Sequence, residues 1–105
     1  MKQVLIDKFF VPKDALEEFT SRMNYNRNFI KGITGFLGDT VYKRTDENGD
    51  LVIVTIAVWK DDNSIARAKD AVQNEYKRTG FDLPALITRL NIKMDREIYQ
   101  EFNYN

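Results

Sequence analysis

The 105-residue chain contains no cysteine and no histidine. Without cysteine there is no disulfide, no thiolate nucleophile and no sulfur metal ligand. Without histidine there is no imidazole to act as base, zinc ligand or haem ligand. A Ser-His-Asp or Cys-His arrangement is therefore excluded. Charge of one sign is also lacking: Lys plus Arg and Asp plus Glu each total 16, for a formal net charge of zero. Phosphate binding leaves a basic excess, so nucleic acid is not expected as a partner, nor is electrostatic docking to a membrane. No apolar run approaches the roughly 18 residues of a membrane span, and no segment resembles a signal peptide. The expectation is a cytoplasmic protein. Neither G-x-G-x-x-G nor a P-loop occurs, so nucleotide cofactors have no support.

What is present centres on nine residues, Leu51 to Trp59, of which only Thr55 is polar. They are rich in β-branched types and follow Asn48-Gly49. This predicts a strand with Leu51, Ile53, Thr55, Ala57 and Trp59 on one face and Val52, Val54, Ile56 and Val58 on the other. Both faces are apolar, so both need cover.

The remaining elements are arranged around that strand. Gln3 to Phe10 reads as a first strand, stopped by Pro12. Asp14 and Glu17 are spaced like a capping box and predict a helix from about Ala15 to Lys31, with Gly32 as its C′ residue. Leu16, Phe19, Met23 and Ile30 share one face of it, and Asn26 falls within that face. Asn24, Tyr25 and Asn28 point away. Phe36 to Arg44 reads as a second strand, and the polar stretch Thr45 to Asp50 contains the Asn-Gly of a tight hairpin. Asp61 to Ser64 supply N-cap candidates for a second helix running to about Arg78 and closed by Gly80. Its stripe is Ile65, Val72 and Tyr76, with Ala68 beside it and Lys69 in the middle. Asp82-Leu83-Pro84 starts a short helix ending near Arg89. Asn91 to Phe102 then alternates as a last strand, with Ile92, Met94, Ile98 and Phe102 on the side that Arg96 and Gln100 interrupt. No repeat, linker or low-complexity segment divides the chain, which predicts one domain over residues 1–105.

Strand, helix, strand, strand, helix, short helix, strand is the order of an α+β ferredoxin-like sandwich with a four-stranded antiparallel sheet. Its helices cover one sheet face. The other, left bare, would be a large exposed apolar patch. A second copy of the chain, face to face, would close the two sheets into a dimeric α+β barrel.

The chain resembles the antibiotic biosynthesis monooxygenases over nearly its whole length. The most specific pieces are Gly35-Phe36-Leu37-Gly38 and Val58-Trp59-Lys60, the latter followed at once by helix-capping polar residues. The resemblance implies a pocket between helices and sheet. One branch of that family oxidises flat aromatic phenols to quinones with molecular oxygen and no cofactor. Another degrades haem, using an Asn in the first strand, a Trp ending the third and a His in the next helix. Asp7, Trp59 and Lys69 stand at those positions here, and a protonated lysine does not readily ligate iron.

Individual residues can then be assigned candidate roles. Trp59 lines a pocket wall and stacks on a flat aromatic substrate, or fills the core. Lys69 stabilises a phenolate or superoxide, or snorkels to water. Asn26 bonds a ligand oxygen, or bonds the backbone or Tyr76. Asp7 serves as base for a phenol, or pairs with Lys69. Tyr76, at the pocket edge, and Phe9, on the strand face of Asp7, complete the substrate-binding set. Asp61, Asp62 and Glu47 read as caps and turns rather than a metal site. The function the resemblance implies is a cofactor-independent monooxygenase acting on a small phenolic or quinol aromatic with oxygen. The alternatives are a non-catalytic small-molecule-binding dimer, or a haem binder using Tyr76.

Overall fold

The computed structural model describes residues 1–104. Four strands, β1 (Gln3–Val11), β2 (Phe36–Thr45), β3 (Leu51–Trp59) and β4 (Lys93–Tyr99), form one antiparallel sheet in the order β2-β3-β1-β4. Helices α1 (Leu16–Ile30), α2 (Asp62–Thr79) and α3 (Leu83–Arg89) pack on one face. This is the expected ferredoxin-like α+β arrangement.

The register lays rows of side chains across the helix-facing side. Lys43, Ile53, Phe9 and Met94 form one row, Val41, Thr55, Asp7 and Arg96 the next, and Asp39, Ala57, Leu5 and Ile98 a third. Two apolar clusters result. Phe9, Phe19, Leu51, Ile53 and Ile92 build one, and Ala57, Trp59 and Ala68 the other. The polar Thr55–Asp7–Arg96 row runs between them. On the opposite face the central strands present Val4, Ile6, Val52, Val54, Ile56 and Val58, which no helix covers.

Four local expectations are corrected. Asp14 does not cap α1: it lies in a 3-10 turn over Lys13–Ala15 and makes no capping bond. The Ala15 N–H bonds to Pro12 O at 2.9 Å, so the chain turns tightly into the helix and Ala15 takes the cap position. Gly32 is not the left-handed residue after α1; Gly35 is, at φ 93°. A Cβ on Gly35 would lie 2.1 Å from Ser64 Oγ, so this backbone touches the start of α2 as only glycine permits.

The hairpin between β2 and β3 is not a two-residue Asn-Gly turn. It is a five-residue loop wrapped around Asp46, whose Oδ1 accepts from the N–H groups of Asn48 (2.8 Å) and Asp50 (3.0 Å). Finally, β4 stops at Tyr99, three residues short of Phe102, because its partner β1 begins at Gln3. A side-chain bond from Gln100 to Gln3 (2.7 Å) follows, and Phe102 is 81% exposed.

Candidate functional site

A cavity of about 390 Å³ lies between the helices and the sheet, where the polar row parts the two apolar clusters. Its helical walls are the stripes read from periodicity: Phe19, Met23, Asn26 and Ile30 from α1, and Ile65, Ala68, Lys69, Val72 and Tyr76 from α2. Leu83 and Leu86 of α3 close one end. Leu5, Asp7, Phe9, Thr55, Ala57 and Trp59 form the floor. Ala57 and Ala68 face the space with a single methyl each, and this small size leaves room beside Trp59.

All six candidate residues border this cavity: Asp7, Phe9, Asn26, Trp59, Lys69 and Tyr76. Trp59 is only 2% exposed and meets Phe36 edge-on at 5.4 Å. It is thus both core residue and cavity wall. Phe9 likewise packs on Phe19 at 4.9 Å.

Asp7 pairs with Arg96, not with Lys69. Arg96 Nε and Nη2 donate to the two Asp7 oxygens at 2.7 and 2.8 Å, from the position directly across the strand pair. Asp7 is buried and Arg96 about half exposed. The carboxylate bonded to Arg96 raises the arginine further above its usual range. Asn26 Nδ2 donates to Tyr76 Oη at 3.2 Å, tying α1 to α2 across the cavity roof. Burial pushes the Tyr76 hydroxyl above its ordinary pKa. Lys69 borders the cavity and is exposed. Among the described residues it forms no ion pair.

Arginines are the residues that periodicity missed. Arg27 of α1 donates to Asp39 at 2.9 Å and to the Ile56 carbonyl at 3.4 Å, sealing the β2 side. Arg22, three residues after Phe19 and four before Asn26, also lines the cavity. Its guanidinium carbon lies 3.4 Å from the Phe81 ring centre, 4.6 Å from Tyr25 and 5.4 Å from Tyr76. Tyr25 lies on the surface as expected, and there its hydroxyl donates to Glu75, which also receives both Arg78 bonds. Arg78 first, then Tyr25, hold the Glu75 carboxyl down at about 2. The signal available in the sequence was helical spacing, since 22 and 26 share a stripe with 19 and 23.

Among the described residues, no group of three or more acidic, His or Cys side chains could hold a metal ion. Among the described residues, no helix is long and apolar enough to cross a membrane.

No protein-family model matches the chain, and no curated protein matches its sequence. Solved structures do. The cofactor-independent oxygenase SnoaB from Streptomyces nogalater is 24% identical, covers 98% of this chain and 95% of its own, and superposes with a TM-score of 0.67. A Nitrosomonas europaea protein provisionally named an antibiotic biosynthesis monooxygenase is 14% identical over 95% of this chain and 89% of its own, at 0.67. A dimeric ferredoxin-like protein from an uncultured marine organism is 12% identical over 93% of this chain and 92% of its own, at 0.69. The chain has the fold of the antibiotic biosynthesis monooxygenases.

Proposed function

We propose that this chain is a cofactor-independent monooxygenase that oxidises a flat phenolic or quinol molecule with molecular oxygen. The observation that carries the reading is the cavity beside Trp59. Its volume of about 390 Å³ falls within the range of small-molecule sites, and its walls are largely apolar with a few convergent polar groups. SnoaB, similar in fold, is a cofactor-independent oxygenase by name.

The residues have distinct parts in this scheme. Trp59 stacks on the aromatic plane, and Phe9, further along the cavity floor, supplies a second aromatic wall. Asp7 accepts the proton of the substrate. Arg96 occupies one contact on each Asp7 oxygen and holds the carboxylate still, while a second lone pair on each remains for the substrate. The substrate anion gives one electron to oxygen, and Lys69 and Asn26 stabilise the negative charge as it moves. Radical and superoxide then combine at the ring carbon. Protonation gives a hydroperoxide, and loss of water leaves the carbonyl. One oxygen atom ends in the quinone and the other in water, and the substrate supplies all the electrons. The working form is a homodimer joined through the uncovered sheet face; a dimeric ferredoxin-like protein is among its structural relatives.

Oxygen uptake tests the reading. Purified protein with no added flavin, metal or haem is mixed with anthrone in an oxygen electrode, and anthraquinone is followed by absorbance. Protein-dependent uptake, one oxygen per quinone, is expected. Lys69→Ala should lower turnover by about tenfold or more, on the scale of a lost anion-stabilising donor. Unchanged turnover removes Lys69 from the mechanism, and uptake equal to the buffer blank refutes the oxygenase assignment.

A further inference from the structure

The charge on the cavity wall is unbalanced. Arg22, Arg27, Lys69 and Arg96 line it, against Asp7 alone. Arg96 is neutralised by Asp7 and Arg27 by Asp39. Arg22 and Lys69 have no carboxylate within ion-pair distance among the described residues. The carboxylate whose field reaches Arg22, Glu75, is already bonded to Tyr25 and Arg78.

The state of Arg22 is unusual in a second way. Its Nε and Nη2 are completely covered, yet no acceptor in the described chain bonds to either. Buried charged donors are costly to leave unpaired. The rings of Phe81, Tyr25 and Tyr76 receive the cation but cannot accept along its N–H edge. Nε and Nη2 are also the two nitrogens by which Arg96 grips both oxygens of Asp7 in the same cavity. Such an edge fits the planar, two-oxygen geometry of a carboxylate.

We propose that Arg22 is the anchor for a carboxylate carried by the aromatic ligand, so that the site selects flat aromatic acids over their neutral counterparts. The inference rests on reading the cavity as a ligand site. Seating the carboxylate requires a turn of the Arg22 side chain, which frees its covered edge from the rings. Lys69, at the exposed side, adds attraction without the fork and so contributes less discrimination.

The test uses the whole chain and two probes of nearly equal shape, anthracene-2-carboxylate and anthracene-2-carboxamide, titrated by calorimetry. Wild-type protein should bind the acid about tenfold or more tightly than the amide, the scale of a charge-assisted pair. Arg22→Met should bring the two within about threefold, and Arg22→Lys should retain part of the preference. Lys69→Met should leave most of it. Equal binding of both probes by the wild type overturns the carboxylate assignment and leaves the oxygenase reading, judged by oxygen uptake, intact. A preference that survives Arg22→Met but disappears in Lys69→Met overturns the role of Arg22. Binding of neither probe overturns this inference together with the aromatic-site reading. The wild-type comparison needs no variant to fold.

Discussion

Asp7 places a buried carboxylate between the two apolar clusters of the helix-facing sheet side, and Arg96 makes that tolerable. Asp7→Ala should leave Arg96 without its partner. Because Arg96 is 51% exposed, water takes up much of the loss, and the expected cost is about 1–3 kcal/mol by urea denaturation rather than the larger penalty of a fully buried pair. A change below the error of the measurement would show that the pair is worth nothing to stability. That the six candidate residues would border one space was legible, because strand alternation and helical spacing put them on the faces that meet there. Arg22, Arg27 and Arg96 were not. A long cation on a stripe reads as solvent-facing, and the groups that hold it inward, Asp7, Asp39 and the rings around Arg22, lie elsewhere in the sequence.

At the scale of elements, the walls of the cavity depend on two contacts outside it. The first is Gly35 against Ser64, which fixes the start of β2 on the start of α2. Gly35→Ala combines a strained positive φ with overlap at a fully buried serine. It should cost about 2–4 kcal/mol, seen as a melting temperature lower by about 10 °C or more. The second is the Tyr25–Glu75–Arg78 cluster joining α1 to α2. Glu75 titrates near 2 in the fold against 4.5 ordinarily, so its contribution is complete above about pH 4.5 and is lost as pH falls toward 2. The difference in melting temperature between wild type and Glu75→Gln should hold steady above pH 4.5 and shrink below it. A difference independent of pH would contradict the assignment, and added salt should reduce it because Arg78 and Tyr25 of the cluster face solvent. Strand and helix positions were readable from pattern. Their ends were not, because caps and turns answer to partners: Asp46 bonding through its own loop, and β1 running out before β4 could continue.

At the scale of the molecule, the helices and the uncovered face divide the labour. The helix side builds the cavity, and the far side of β1 and β3 leaves Val4, Ile6, Val54, Ile56 and Val58 incompletely covered. Pairing of two such faces should give a sedimenting species of twice the 12.3 kDa chain mass. Ile56→Lys, which places a charge at the centre of that face, should convert it to a monomer. A wild type that sediments as a monomer would refute the dimer. The need for a cover was legible in Leu51 to Trp59, since a strand apolar on both sides cannot face water on either. The cavity was less so: its existence depends on how small Ala57 and Ala68 are relative to the space between strand and helices, a matter of packing rather than pattern.

The central claim is that a flat aromatic molecule enters the space beside Trp59. Trp59 is the one tryptophan in the chain, so its fluorescence reports on that wall alone. Titration with 1-hydroxyanthraquinone, a stable quinone that cannot turn over, measures it most directly. Saturable quenching at one molecule per chain, with a shifted emission maximum, is the expected result. Emission that falls only as the absorbance of the added quinone dictates would contradict the account.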